Sequence, residues 1–172
     1  IVFGDWSSDV CSSDLAVLQT CRWLAARHGA ELTEVGVEPD GRVRPEAVTA
    51  ALRPDTLLVA VMHANNETGA VQPVEQVGER LRGLGVLFHV DGVQAVGRLP
   101  VDMQAIGCDS YAISAHKFGG LKGCGALAIA PAAGIGAILQ GGHQEAGLRA
   151  GTENVPGAVA MGKAAEIGRA HV

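Results

Sequence analysis

Ser110-Tyr111-Ala112-Ile113-Ser114-Ala115-His116-Lys117 is a short, largely apolar run that opens directly onto a histidine and a lysine, with Phe118-Gly119-Gly120 behind it. The run has strand length and the glycines stop it, so a strand is predicted over Ser110–Ser114 with a polar cluster at its carboxyl end. Outward from it the same arrangement recurs. Thr56–Met62 is a continuous apolar run, as a parallel strand buried on both faces requires, and His63 to Glu67 follow it. Val86–Val90 is another, and Asp91 follows it. Gly125–Ala130 is a fourth, set off by the glycine-rich stretch 119–125.

Between the strands the period changes. Pro73–Gly85 carries Val74, Val77, Leu81 and Leu84 on one helical face, and Ala16–Gly29 carries Val17, Leu18, Cys21, Leu24 and Ala25. Pro45–Leu52 opens with proline at a first helical turn, and Val155–Ala165 reads as a closing helix. Leu32–Val37 is a further short strand candidate. This alternation predicts an α/β fold of three layers, a mostly parallel sheet with helices on both faces joined by right-handed crossovers. In such sheets ligands sit beyond the carboxyl ends of the strands. Three polar clusters fall at such ends: His63 to Glu67, Asp91, and His116-Lys117.

Composition narrows the classes. The 172 residues are 48% hydrophobic and 18% charged, enough for one ordinary core, and no internal repeat or linker divides them. A net charge of -5 gives no electrostatic reason to expect nucleic acid or an anionic membrane. No apolar run reaches the roughly 18 residues of a membrane span. The four cysteines, Cys11, Cys21, Cys108 and Cys124, show no CxxC spacing, which argues against zinc and for a reduced, cytoplasmic setting. His89 and Asp91 share a strand face, but no further cluster completes a metal site, so no metal is expected. Gly119-Gly120-Leu121-Lys122-Gly123 lacks the GxxxxGK[ST] spacing of a nucleotide loop.

A lysine just after one strand and a carboxylate at the end of another are what pyridoxal phosphate chemistry needs. The Lys117 amine can form a Schiff base with an aldehyde, and the Asp91 carboxylate can keep a pyridine nitrogen protonated. Each residue also has a plainer reading: Lys117 as a solvated loop lysine, Asp91 as the cap of a short helix. Gln94 lies about one helical turn after Asp91 and can face the same ligand. Asn66, beside Gly69, is otherwise a turn residue.

Together, His63-Ala64-Asn65-Asn66-Glu67-Thr68-Gly69, Phe88 to Gly97, Ser114 to Lys117 and Arg149-Ala150-Gly151-Thr152-Glu153-Asn154 resemble the large domain of the class V, fold type I pyridoxal phosphate enzymes. The form is that of cysteine desulfurases of the NifS/IscS-like group. The resemblance implies Lys117 as the catalytic lysine and Asp91 at the ring nitrogen. It implies Gln94 donating to the ring hydroxyl, Asn66 near that oxygen, and Ser114 and His116 on the phosphate. Thr152 would reach the phosphate of the other subunit, which requires a homodimer. The implied reaction converts L-cysteine to L-alanine and leaves a persulfide for a sulfur-acceptor or scaffold protein serving iron–sulfur cluster or tRNA thiolation pathways. Another class V enzyme, such as an aminotransferase or selenocysteine lyase, and a non-catalytic cofactor-binding module are the alternatives.

The ends depart from this pattern. Asp5–Leu15 shows no period, and Glu166–Val172 breaks from the helix before it. Residues 1–15 and 166–172 are therefore expected to be foreign to the fold, leaving 16–165 as a partial cofactor-binding large domain. Asp14 stands where the family carries a ring-stacking histidine. The upstream phosphate-binding segment and the small domain with its nucleophilic cysteine loop find no counterpart, and Cys21, Cys108 and Cys124 read as packed, inert cysteines. The 172 residues alone are expected to lack desulfurase turnover.

Overall fold

A computed structural model describes residues 15–169. Four strands form one open sheet in chain order: β1 (Leu58–Met62), β2 (Leu87–Asp91), β3 (Ser110–Ser114) and β4 (Gly125–Ile129). β1, β2 and β3 are parallel, with Met62 opposite Asp91 and Asp91 opposite Ala112. β4 runs antiparallel to β3, with Ser114 opposite Gly125. The expected α/β class with a mostly parallel sheet is present. The one reversal has a simple cause: the link 115–124 is shorter than the dozen or so residues a parallel crossover needs.

Residues alternate between the faces of the sheet, and each face finds its own cover. Val59, Val61, Phe88, Val90 and Tyr111 pack against Val48 of α2 (Pro45–Ala50), Val74, Val77 and Leu81 of α3 (Val74–Leu81), and Ile106 of α4 (Met103–Ile106). Phe88, 1% exposed, is the largest wholly buried side chain among the described residues, and its burial stabilises by about 1.5–3 kcal/mol. α3 and α4 touch backbone to backbone: a Cβ on Gly78 would stand 1.8 Å from the Ile106 carbonyl oxygen. On the other face Ala60 meets Leu18 and Cys21 of α1 (Leu15–His28), together with Leu32. The result is the three-layer arrangement, with Gly29 (φ +67°) ending α1 where a stop was expected.

Three expectations change. Leu32–Val37 forms no strand. Leu32 turns into the second core and Thr33 makes only a single bridge, while Glu34 pairs with Arg22 at 3.0 Å and, just before the segment, Glu31 pairs with Arg53 at 2.8 Å. The closing helix α5 (Val155–Arg169) does not break at Glu166, which pairs with Lys163 one turn earlier at 2.7 Å. α4 was not anticipated, although its caps are in the sequence. The Asp102 carboxylate accepts from the Gln104 and Ala105 N–H groups at 2.8 and 3.2 Å, and Gly107 (φ 71°) ends the helix. The expectations for Cys11, Asp14 and the rest of residues 1–14 and 170–172 fall outside the described residues.

Candidate active site

Because β1, β2 and β3 are parallel, the segments that follow them emerge on one edge of the sheet, and the start of β4 returns to that edge opposite Ser114. His63 prolongs the β1–β2 ladder by one bond, its N–H donating to the Asp91 carbonyl at 2.8 Å. The loop after it is organised by Asn65, not Asn66. The Asn65 Oδ1 accepts from the Glu67 and Thr68 N–H groups at 2.9 Å each and from the Thr68 hydroxyl at 3.2 Å. Asn66 is thereby left exposed at the loop tip with its side chain uncommitted among the described residues.

Asp91 ends β2 and is buried, 6% exposed. Its Oδ1 accepts from the Val93 N–H at 3.0 Å, a local turn bond; among the described residues the segment after it is a series of turns, not the short helix expected. Among the described residues no cation forms an ion pair with this carboxylate. A buried, unneutralised carboxylate is costly unless a positive partner arrives, which is the second role expected for it. The chain then turns through Gly92, Ala95 and Leu99, placing half-buried Gln94 one turn along.

Lys117 sits in a 3-10 turn (Ala115–Phe118) that leaves β3 directly. The turn is closed by backbone bonds. The Ala115 N–H donates to Cys124 O at 3.0 Å, and the Gly120 N–H donates to Ala115 O at 2.8 Å, with Gly119 (φ 94°) in the left-handed region. Ala115 is wholly buried, so the turn is anchored at its root while Lys117 is half-buried and His116 exposed. The Ser114 hydroxyl lies 3.0 Å from His116 Nδ1, setting a hydroxyl and an imidazole side by side. α5 packs against this turn.

Thr152 stands apart. It is exposed on the loop before α5, where the Gly151 N–H donates to Gln144 Oε1 at 3.2 Å, and among the described residues no hydrogen bond links it to the β1–β3 edge. The cysteines are placed as packing groups: Cys21 and Cys108 are buried and Cys124 is half-buried, and burial pushes the Cys108 thiol up to about 11. Among the described residues no three His, Cys, Asp or Glu side chains gather as metal ligands, and no helix is long and apolar enough to cross a membrane.

Beneath the edge lies a polar pair that the sequence reading did not assign. Buried His63 sets Nδ1 2.8 Å from the Tyr111 hydroxyl, and the Tyr111 ring lies against Gly92, the residue after Asp91. His89 similarly sets Nδ1 2.8 Å from the Ser110 hydroxyl. Burial lowers the pKa of both imidazoles, opposed at His63 by Glu75 and at His89 by Asp91. Below the ordinary value of 6.5 the unfolded chain therefore binds more protons than the folded one, and stability falls as pH falls. The loss is at most about 1.4 kcal/mol per imidazole for each pH unit below that value. Urea midpoints should drop between pH 7.5 and 5.5, and a His63→Gln, His89→Gln double variant should drop less; equal drops would refute this origin.

Comparison with known proteins shows the family. The family model described as Aminotransferase class-V matches residues 14–171. The chain is similar to the cysteine desulfurase IscS of Anaeromyxobacter sp. (strain K), 52% identical over 156 residues that cover 90% of this chain and 38% of the relative. Among solved structures it is similar to a NifS-like protein (TM-score 0.88, 39% identity, 93% of this chain and 44% of that one). It also resembles SspA, solved in complex with cysteine (TM-score 0.86, 35% identity, 90% of this chain and 45% of that one). The chain thus spans about two fifths of the length of the curated relatives it matches. With the family model running across all the described residues, the chain belongs to the class-V aminotransferase family, a family of pyridoxal phosphate enzymes.

Proposed function

We propose that this chain carries the cofactor-binding part of a pyridoxal phosphate-dependent cysteine desulfurase. The observation that carries the reading is the buried Asp91 carboxylate, unpaired with any cation among the described residues, on the same sheet edge as the Lys117 turn. These residues fit the cofactor. Asp91 offers negative charge to a protonated ring nitrogen, Gln94 and Asn66 offer amide groups, and Ser114 with His116 offers a hydroxyl and an imidazole to a phosphate. When bound, pyridoxal phosphate supplies an electron sink for the pair left at a substrate Cα that loses its proton.

The residues of the chain do the rest. Lys117, held on an anchored turn, is the amine that would hold the cofactor aldehyde and, once displaced by the substrate amine, would be free to carry a proton at the substrate Cα. The Asp91 carboxylate is held in place by the Val93 N–H at its Oδ1, and Gln94 and Asn66 would orient the ring. Overall, L-cysteine and an enzyme thiol become L-alanine and an enzyme persulfide, which conserves atoms and electrons. The buried state of Cys21 and Cys108 supports assigning that thiol to a cysteine outside them. Thr152, exposed on its own loop, supports a homodimer in which it serves the other subunit's phosphate site. Delivery of the sulfur to an acceptor or scaffold protein for iron–sulfur clusters or tRNA thiolation, in the cytoplasm, completes the proposal.

The test is chemical mapping. The chain is incubated with pyridoxal phosphate, reduced with borohydride, digested and analysed by mass spectrometry. The expected result is a single pyridoxyl increment on the peptide holding Lys117. Labelling that is spread over Lys122 and Lys163, or absent, would defeat the reading.

A further inference from the structure

Two segments of the candidate site are tied together by a residue that has no place in the chemistry above. Arg98 is an exposed arginine one helical turn after Gln94. Its Nη1 donates to the Gln94 backbone carbonyl and to the Gln94 side-chain Oε1, both at 3.0 Å. Its Nη2 donates to the backbone carbonyl of Lys117 at 2.9 Å. The two turns are also in direct contact beside this fork, since a Cβ on Gly97 would stand 2.8 Å from the Phe118 Cβ.

The chemistry of this fork is directional. A guanidinium only donates, so the oxygen of the Gln94 carboxamide must face it; the flipped amide would oppose donor to donor. With Oε1 committed to Arg98, the Gln94 Nε2 remains as a pure donor, with no partner among the described residues. The second arm of the fork fixes the Lys117 turn by its main chain, which leaves the lysine side chain free. A planar fork can bridge both acceptors at once, whereas an ammonium at the same position is a point charge.

We infer that Arg98 is a positioning residue that holds Gln94 in its donating orientation toward a ring oxygen of the cofactor and locks the Gln94 turn to the Lys117 turn. This rests on the proposed cofactor site. It predicts that loss of the guanidinium weakens the cofactor through Gln94, not through the fold.

The experiment compares the wild-type chain with Arg98→Met, Arg98→Lys, Gln94→Ala and the Arg98→Met, Gln94→Ala double variant. The readouts are the pyridoxal phosphate dissociation constant and the pH midpoint of the visible absorption band. Far-UV circular dichroism reports the fold, which an exposed side chain should leave unchanged. Arg98→Met is expected to weaken binding roughly tenfold, the scale of one charge-assisted hydrogen bond, and to shift the midpoint. Arg98→Lys should fall between it and wild type. In the Gln94→Ala background the Arg98→Met change should shrink severalfold. An Arg98→Met protein with wild-type affinity and midpoint overturns the inference, as does an equal effect in both backgrounds. Failure of the wild type itself to fix cofactor at Lys117 overturns the site and this inference with it, so the two failures are told apart.

Discussion

Lys117→Ala is expected to leave no cofactor fixed by borohydride, because the amine that would form the Schiff base is gone. The expectation comes from the way the lysine is held. The 3-10 turn hangs from wholly buried Ala115 and is closed by the Gly120 N–H, so no neighbouring amine can swing into the vacated place. Lys122 lies beyond Gly119 and Gly120 in the exposed part of the link to β4. Melting behaviour should not change, because a half-buried lysine with no ion pair among the described residues supports little of the core. A variant that still fixes one equivalent of cofactor, mapped to another lysine, would show that the turn does not select its amine.

Gly92→Ala is expected to destabilise the chain by about 3 kcal/mol or more, enough to threaten folding of a domain that starts with a margin of about 5–15 kcal/mol. A Cβ there would stand 1.8 Å from Tyr111 Cε1 and 2.4 Å from its hydroxyl oxygen. The ring cannot simply step aside, because its hydroxyl is held by buried His63 and its own position is fixed in register opposite Val90. If the chain survives, the strain falls on Asp91 and on the turn that carries Gln94. Unfolding midpoints in urea measure the first effect. A loss below about 1 kcal/mol would mean that Tyr111 has room to move. Adding Tyr111→Ala to the Gly92→Ala chain removes the clash and should make the two costs non-additive.

Much of this arrangement was legible in the residues. Ser110–Ser114 is found where its apolar run and flanking signals put it, and the polar clusters after β1, β2 and β3 share an edge because long apolar runs betray strands buried on both faces. The direction of β4 was not legible from its composition, since GALAI reads the same either way; the shortness of the 115–124 link was the available signal. α4 is only four residues long and carries no period, so its signals were Asp102 and Gly107 alone. Leu32–Val37 misled because alternation in a strand looks like the alternation here between the buried Leu32 and the Glu34 that pairs with Arg22, with pairing limited to a single bridge at Thr33. The turn role that was the plainer reading of Asn66 falls to Asn65, which depends on a loop geometry that spacing does not encode. Arg98 escaped notice because an exposed arginine is common; its spacing of four from Gln94 was the hint.

Among the described residues, strand order along the sheet follows strand order along the chain, with no later strand inserted between earlier ones. Each pairing joins neighbours in sequence, so the loops to be closed are short and the entropic barrier to docking the next strand stays low. The sheet can be laid down in the order of synthesis, β1 with β2 and then β3. Asn66, Asp91, Gln94, Arg98 and Lys117 all lie on that stretch, so the pocket edge can form before the loop bearing Thr152 has left the ribosome.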